Sequence, residues 1–107
     1  MKKMYNKLVR DRIPEIIEEN GAQCKYHVAS DAEFEQALLN KLREEVEEFI
    51  KEPSVTELAD IQEVLWRLQE VYNITEYDVR NTTRQKAQER GVFDEGYILE
   101  YVLDELL

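Results

Sequence analysis

The chain has 107 residues, enough for one domain and too few for two. Acidic residues outnumber basic ones 24 to 14, for a formal charge of -10, which argues against a nucleic-acid backbone or an anionic membrane as the main partner. Cys24 and His27 are the only cysteine and histidine, so an intramolecular disulfide and a Cys/His zinc cluster are excluded, and Cys–His nucleophilic catalysis lacks a third partner.

The first residues, MKKMYNKLVRDR, contain no apolar stretch of the signal-peptide kind, and no apolar run further on is long enough to span a membrane. The expected compartment is therefore a reduced cytoplasm. Residues 14–20 read as a short helix, with Pro14 suited to its first turn and Gly21 ending it. Residues 24–29 are short, and the alternation of Tyr26 with Val28 predicts a strand. Ser30-x-x-Glu33 is a capping box that opens a long helix through about Lys51, where Pro53 interrupts. Ser54-x-x-Glu57 is a second capping box, followed by apolar residues at helical spacing as far as Tyr72. Asn73 and Thr75 mark a turn, and a further helix runs from about Glu76 to Arg90, ended by Gly91. The tail suits either a strand or a final helix; the preferred reading is a short strand at about 97–101 paired with 24–28. The expected fold is mainly all-α, an antiparallel helical bundle built on a long helical hairpin, with that two-stranded element as an option.

In so acidic a chain, a glutamate run by itself means little, and what matters is where each carboxylate points. At ~100° per residue, Phe34, Leu38, Leu42, Val46, Phe49 and Ile50 form one apolar arc of the 30–51 helix. Glu45 projects inside that arc, Glu48 lies just outside its edge, Glu44 a little further round, and Glu47 on the far side. On the 54–72 helix, Glu57 falls near the middle of the arc of Leu58, Ile61, Val64, Leu65, Leu68, Val71 and Tyr72, with Asp60 at its edge. Burying such charges costs several kcal/mol apiece unless they are compensated. A hard divalent cation is the economical compensation, and Mg²⁺ or Mn²⁺ fits better than Ca²⁺ because no EF-hand loop is present. The competing reading is structural: Glu57 completes a capping box, Glu45 snorkels at the rim, and Asp60 pairs with Arg67 or another base.

The arrangement E-E-x-x-E (Glu44, Glu45, Glu48) followed by E-x-x-D (Glu57, Asp60) on consecutive helices resembles the all-α nucleoside triphosphate pyrophosphatase superfamily. MazG-like proteins, dimeric dUTPases and phosphoribosyl-ATP pyrophosphohydrolase belong to it. KLVRDRIPEII (7–17) and KAQERGVFDEGYIL (86–99) look like the ends of a small MazG-like subgroup of house-cleaning enzymes, so the likeness covers roughly residues 5–99. The resemblance implies that Glu45, Glu48, Glu57 and Asp60 hold the metal, with Glu44 as an additional ligand or a water-orienting base beside Glu45. It also implies cleavage between the α and β phosphates, giving a nucleoside monophosphate and pyrophosphate. Only eight residues separate Glu48 from Glu57, a shorter spacer than many relatives have, which bears on base selection.

The nucleotide's negative charge calls for cations. Lys86 and Arg90 are four apart on one helix, and Lys7, Arg10 and Arg12 cluster near the N-terminus, so these five are the candidate phosphate-binding residues. Tyr5, Trp66 and Phe93 are available to stack a base, although Trp66 reads more naturally as packing. Rival readings are phosphoribosyl-ATP as the substrate and a non-enzymatic acidic helical module that binds a basic protein. Surplus apolar residues (Val71, Tyr72, Ile98, Val102, Leu103, Leu106, Leu107) and the family likeness both predict a homodimer or homotetramer.

Overall fold

Hydroxyl side chains start three of the four helices found among residues 1–103, the part of the chain that the computed structural model describes. Helix α1 (Ile13–Glu19) has no side-chain cap but carries Pro14 in its first turn, and Gly21 beyond it adopts a φ of 86°. Helix α2 (Asp31–Lys51) begins where the Ser30 hydroxyl accepts from the Glu33 N–H at 3.2 Å, and helix α3 (Val55–Val71) where Ser54 accepts from Glu57 at 3.1 Å. Helix α4 (Glu76–Arg90) is capped in the same way by Thr75, which accepts from the Asp78 N–H, and it stops at Gly91 with a φ of 81°. Asn73, at a φ of 55°, turns the chain between α3 and α4, a left-handed conformation that asparagine tolerates better than most residues. The predicted helices are thus present, each within a residue or so of its expected ends.

The predicted strand pairing is not. Among the described residues there is no strand, and both 24–28 and 97–101 are irregular. A strand is held by its ladder to a neighbour, and one pair of alternating apolar residues is too little to secure one. Val28 stays 92% exposed, and Tyr97, Ile98 and Leu99 are exposed as well. The last four residues, including Leu106 and Leu107 of the predicted apolar surplus, lie outside the described part. No described helix is long and apolar enough to cross a membrane.

Two compact units make up the chain, Met1–Ile74 and Thr75–Leu107. In the first, α2 and α3 pack against each other. Only Glu52, Pro53 and Ser54 link them, so the two helices form the expected antiparallel hairpin. Its buried core is small: Leu38, Val64 and Leu68, with Leu8, Phe34, Leu39, Leu42 and Val71 partly buried against it. The second unit consists of α4, which buries no side chain, followed by the irregular segment that carries Val92, Phe93 and Tyr97.

Because the hairpin depends on α3 starting at the right residue, its cap has a measurable worth. Ser54→Ala is expected to cost about 1 kcal/mol, about 5 °C of melting temperature in a small domain. Thermal denaturation followed by circular dichroism checks this, and an unchanged melting temperature would show that the link holds α3 without the cap.

Candidate metal centre

Helical periodicity carries two carboxylates into the hairpin. Glu45 stands seven residues after the buried Leu38, two turns along the same stripe of α2, and Glu57 stands seven residues before the buried Val64 on α3. In an antiparallel pair both displacements run toward the link. The two carboxylates therefore meet at one level of the hairpin, one storey beyond the apolar core. Asp60, three residues after Glu57, occupies the neighbouring position on α3.

The resulting geometry is tight. One carboxylate oxygen from each of Glu45, Glu57 and Asp60 lies within 4.8 Å of the others. Glu45 is 5% exposed, the one buried charged residue among those described. Its Oε2, like Oε2 of Glu57, is buried with no hydrogen-bond partner among the described residues. The cap function of residue 57 is carried by its backbone N–H, so its carboxyl group is not spent on the capping box that would have explained it. Glu33 differs here, since its carboxylate meets Nε2 of His27 at 2.9 Å.

Glu48 is exposed and lies outside that threesome, but it stands close enough to Glu57 to push that carboxyl up. Glu44 is likewise outside. Its Oε1 accepts from Lys7 Nζ at 2.9 Å and lies 3.6 Å from Lys41 Nζ. Glu44 and Glu48 line an open depression of about 310 Å³ together with Glu47, Ile50 and Lys51.

Electrostatics sorts these carboxylates into two kinds. Burial, and then the charge of Glu48, pushes the Glu45 carboxyl above the usual range, with Asp60 adding to the effect and Lys41 opposing it. Burial also pushes Glu57 up, followed by the charges of Glu48, Asp60 and Glu45. Glu44 goes the other way, held below the usual range chiefly by its hydrogen bond from Lys7, whose own ammonium is stabilised in return. Two carboxyl groups thus resist ionising because burial and neighbouring like charges disfavour their charged form, and a third, paired with Lys7, does not.

No protein family, curated protein or solved structure matches the chain. The case for a metal therefore rests on the residues themselves, and they fit one. Three carboxylates with ligand oxygens within 4.8 Å of one another, two of them carrying a buried oxygen without a partner among the described residues, could hold a hard divalent cation. Opposite ligands of such an ion stand about 4.2 Å apart, so the observed spread closes by small side-chain rotations.

The basic residues are distributed differently from the sequence expectation. Lys7 and Arg10 do come to the carboxylates, Arg10 donating from Nη2 to Asp60 Oδ1 at 2.8 Å. Arg12 instead pairs with Glu15, and Arg67, the expected partner of Asp60, pairs with Glu63 and Glu70. Lys86 and Arg90 lie one turn apart on α4, in the second unit. Lys41 is the residue that the sequence reading passed over. Its Nζ lies 3.5 Å from Glu45 Oε1, and its place four residues before Glu45 on one helix was the available signal. Of the proposed stacking residues, Tyr5 is 61%, Trp66 44% and Phe93 100% exposed, and Lys3 sits over the Tyr5 ring at 5.1 Å.

Proposed function

We propose that the protein is a Mg²⁺-dependent nucleoside triphosphate pyrophosphohydrolase that clears non-standard or excess nucleotides. The observation that carries this reading is the convergence of Glu45, Glu57 and Asp60, with the Oε2 atoms of Glu45 and Glu57 buried and without a hydrogen-bond partner among the described residues. The motif likeness to all-α nucleotide pyrophosphatases supports the choice of reaction.

Glu45, Glu57 and Asp60 would hold Mg²⁺, with Glu48 within reach as a further ligand through its contact with Glu57. When bound, the ion supplies charge neutralisation at the phosphate oxygens and acidity to a nearby water. The chain's own residues do the rest. Glu44, kept ionised by Lys7 and Lys41, accepts a hydrogen bond from the attacking water and orients it. The water oxygen bonds to the α-phosphorus as its proton passes to Glu44, the bond from that phosphorus to the bridging oxygen breaks, and pyrophosphate departs with the electron pair. The side chains of Lys7 and Arg10, both more than 40% exposed, would meet the phosphate chain.

The test is pyrophosphate release from a panel of canonical, deoxy and modified nucleotides, with phosphoribosyl-ATP as one arm. Activity that needs Mg²⁺ and is lost in Glu57→Ala is the expected result. Preference for phosphoribosyl-ATP would assign the rival substrate. No turnover of any nucleotide, or equal turnover by wild type and variant, would overturn the reading.

A further inference from the structure

The N-terminal segment is fastened to both helices of the hairpin. Leu8 packs against the core of Leu38, Val64 and Leu68, which pins the backbone in place. On either side of it, Lys7 reaches Glu44 of α2 at 2.9 Å and Arg10 reaches Asp60 of α3 at 2.8 Å. Asn6, immediately before, turns the chain at a φ of 47°. One short stretch therefore delivers two cations to the rim of the carboxylate cluster while its own backbone stays anchored.

Charge counting shows what these cations are for. Glu44, Glu45, Glu48, Glu57 and Asp60 bring five negative charges, and Lys7, Arg10 and Lys41 bring three positive ones. The shortfall equals one divalent cation. Once that cation is seated, an incoming polyphosphate adds negative charge that needs new partners. Lys41 stands beside Glu45 with its side chain 19% exposed, whereas the side chains of Lys7 and Arg10 are 43% and 56% exposed, open to an anion arriving from solvent.

We propose that Lys7 and Arg10 are exchangeable counter-ions: they neutralise Glu44 and Asp60 in the metal-free protein and turn to the phosphate oxygens of a polyphosphate once a divalent cation binds Asp60 and its charge, with that of Lys41, offsets Glu44. The exchange rests on the metal centre argued above, though not on hydrolysis. Arg10 competes with the metal for Asp60, yet it serves the anion that follows. A mere brace between segment and helix would do neither. The device also orders the two ligands, because the guanidinium becomes available to phosphate only after the cation has arrived.

The exchange gives Arg10→Gln two effects of opposite sign. Mn²⁺ alone, titrated by calorimetry, is expected to bind Arg10→Gln roughly tenfold tighter than wild type, because a positive charge beside Asp60 is gone. Inorganic pyrophosphate, titrated into the Mn²⁺-loaded proteins, is expected to bind the variant roughly tenfold more weakly. Arg10→Lys should restore both affinities toward wild type. Lys7→Gln, which leaves Asp60 paired, should show the same opposed pair of shifts at smaller size and covers the case in which Arg10→Gln does not fold. Mn²⁺ uptake that is unchanged or weaker in these variants overturns the exchange alone, as does unchanged pyrophosphate affinity. Absence of Mn²⁺ uptake by wild type overturns the exchange and the metal centre together. Opposed shifts in a protein that hydrolyses no nucleotide would support the exchange and remove only the catalytic reading.

Discussion

Glu45→Gln is expected to melt at a higher temperature than wild type in the presence of a chelator, and to lose pyrophosphate release by a factor on the order of 100 or more. The two effects share one origin. In the metal-free protein Glu45 is an almost fully buried carboxylate with one unsatisfied oxygen, partly compensated by Lys41 at 3.5 Å. Glutamine keeps the shape and an acceptor for Lys41 but removes the charge, a gain of about 1 kcal/mol or more. Added Mg²⁺ or Mn²⁺ should raise the melting temperature of wild type, by an amount that grows with the logarithm of its concentration, and should do little for the variant. A variant that melts lower without metal and is still protected by it would show that Glu45 is a structural residue.

The same substitution should flatten a pH dependence. Glu45 and Glu57 titrate above 4.5 in the folded chain, so between that value and their raised folded-state values the folded form holds protons that the unfolded chain has released. Stability then falls as pH rises through this window. Glu44 is depressed, so its contribution is present above 4.5 and is lost only as pH falls through its lower folded-state value. The metal-free wild type is therefore expected to be more stable near pH 4.5 than at neutral pH, and Glu45→Gln to show a shallower difference. Bound metal should invert the trend, because ionised carboxylates are then the favoured form.

Leu38→Ala should have the largest effect on folding. Leu38 is 2% exposed and heads a core whose only other buried side chains, among the described residues, are Val64 and Leu68. Truncating a buried leucine costs about 2–5 kcal/mol, against a typical total stability of about 5–15 kcal/mol. A hairpin with so few buried side chains has little to fall back on, and a large fraction of molecules should be unfolded at physiological temperature. Leu58→Ala, at a position 54% exposed on the same hairpin, should cost far less. Urea denaturation of the two variants side by side decides the matter: equal shifts would mean that the core is not where the burial places it.

How much of this was legible in the sequence depended on distance along the chain. Helix starts at Ser30 and Ser54, the stop at Gly91, and the inward placement of Glu45 and Glu57 are local signals, written within a few residues of where they act. Glu48 shows the limit of a helical wheel. Just outside the edge of the apolar arc, it was read with Asp60 as an i+3 partner in the ligand set, but it remains exposed and lies outside the group formed by Glu45, Glu57 and Asp60. The strand at 24–28 was a misreading of one alternating pair. The links from Lys7 to Glu44 and from Arg10 to Asp60 span 37 and 50 residues, and no periodicity reports on contacts of that reach. Those contacts follow from Leu8 docking on the core, which only the folded chain displays.

The three-residue link between α2 and α3 has a further consequence. The three clustered carboxylates, with Glu44 and Glu48 beside them, fall within seventeen consecutive residues, 44–60, so bringing them together requires closing only a short loop. Loop closure of that length takes well under a microsecond and carries little entropic penalty. The cluster is therefore among the earliest things the chain can form. It is also where like charges repel most, so ionic conditions at the moment of chain collapse act directly on the folding barrier. The carboxylates proposed to hold the metal therefore also bear on how the hairpin forms.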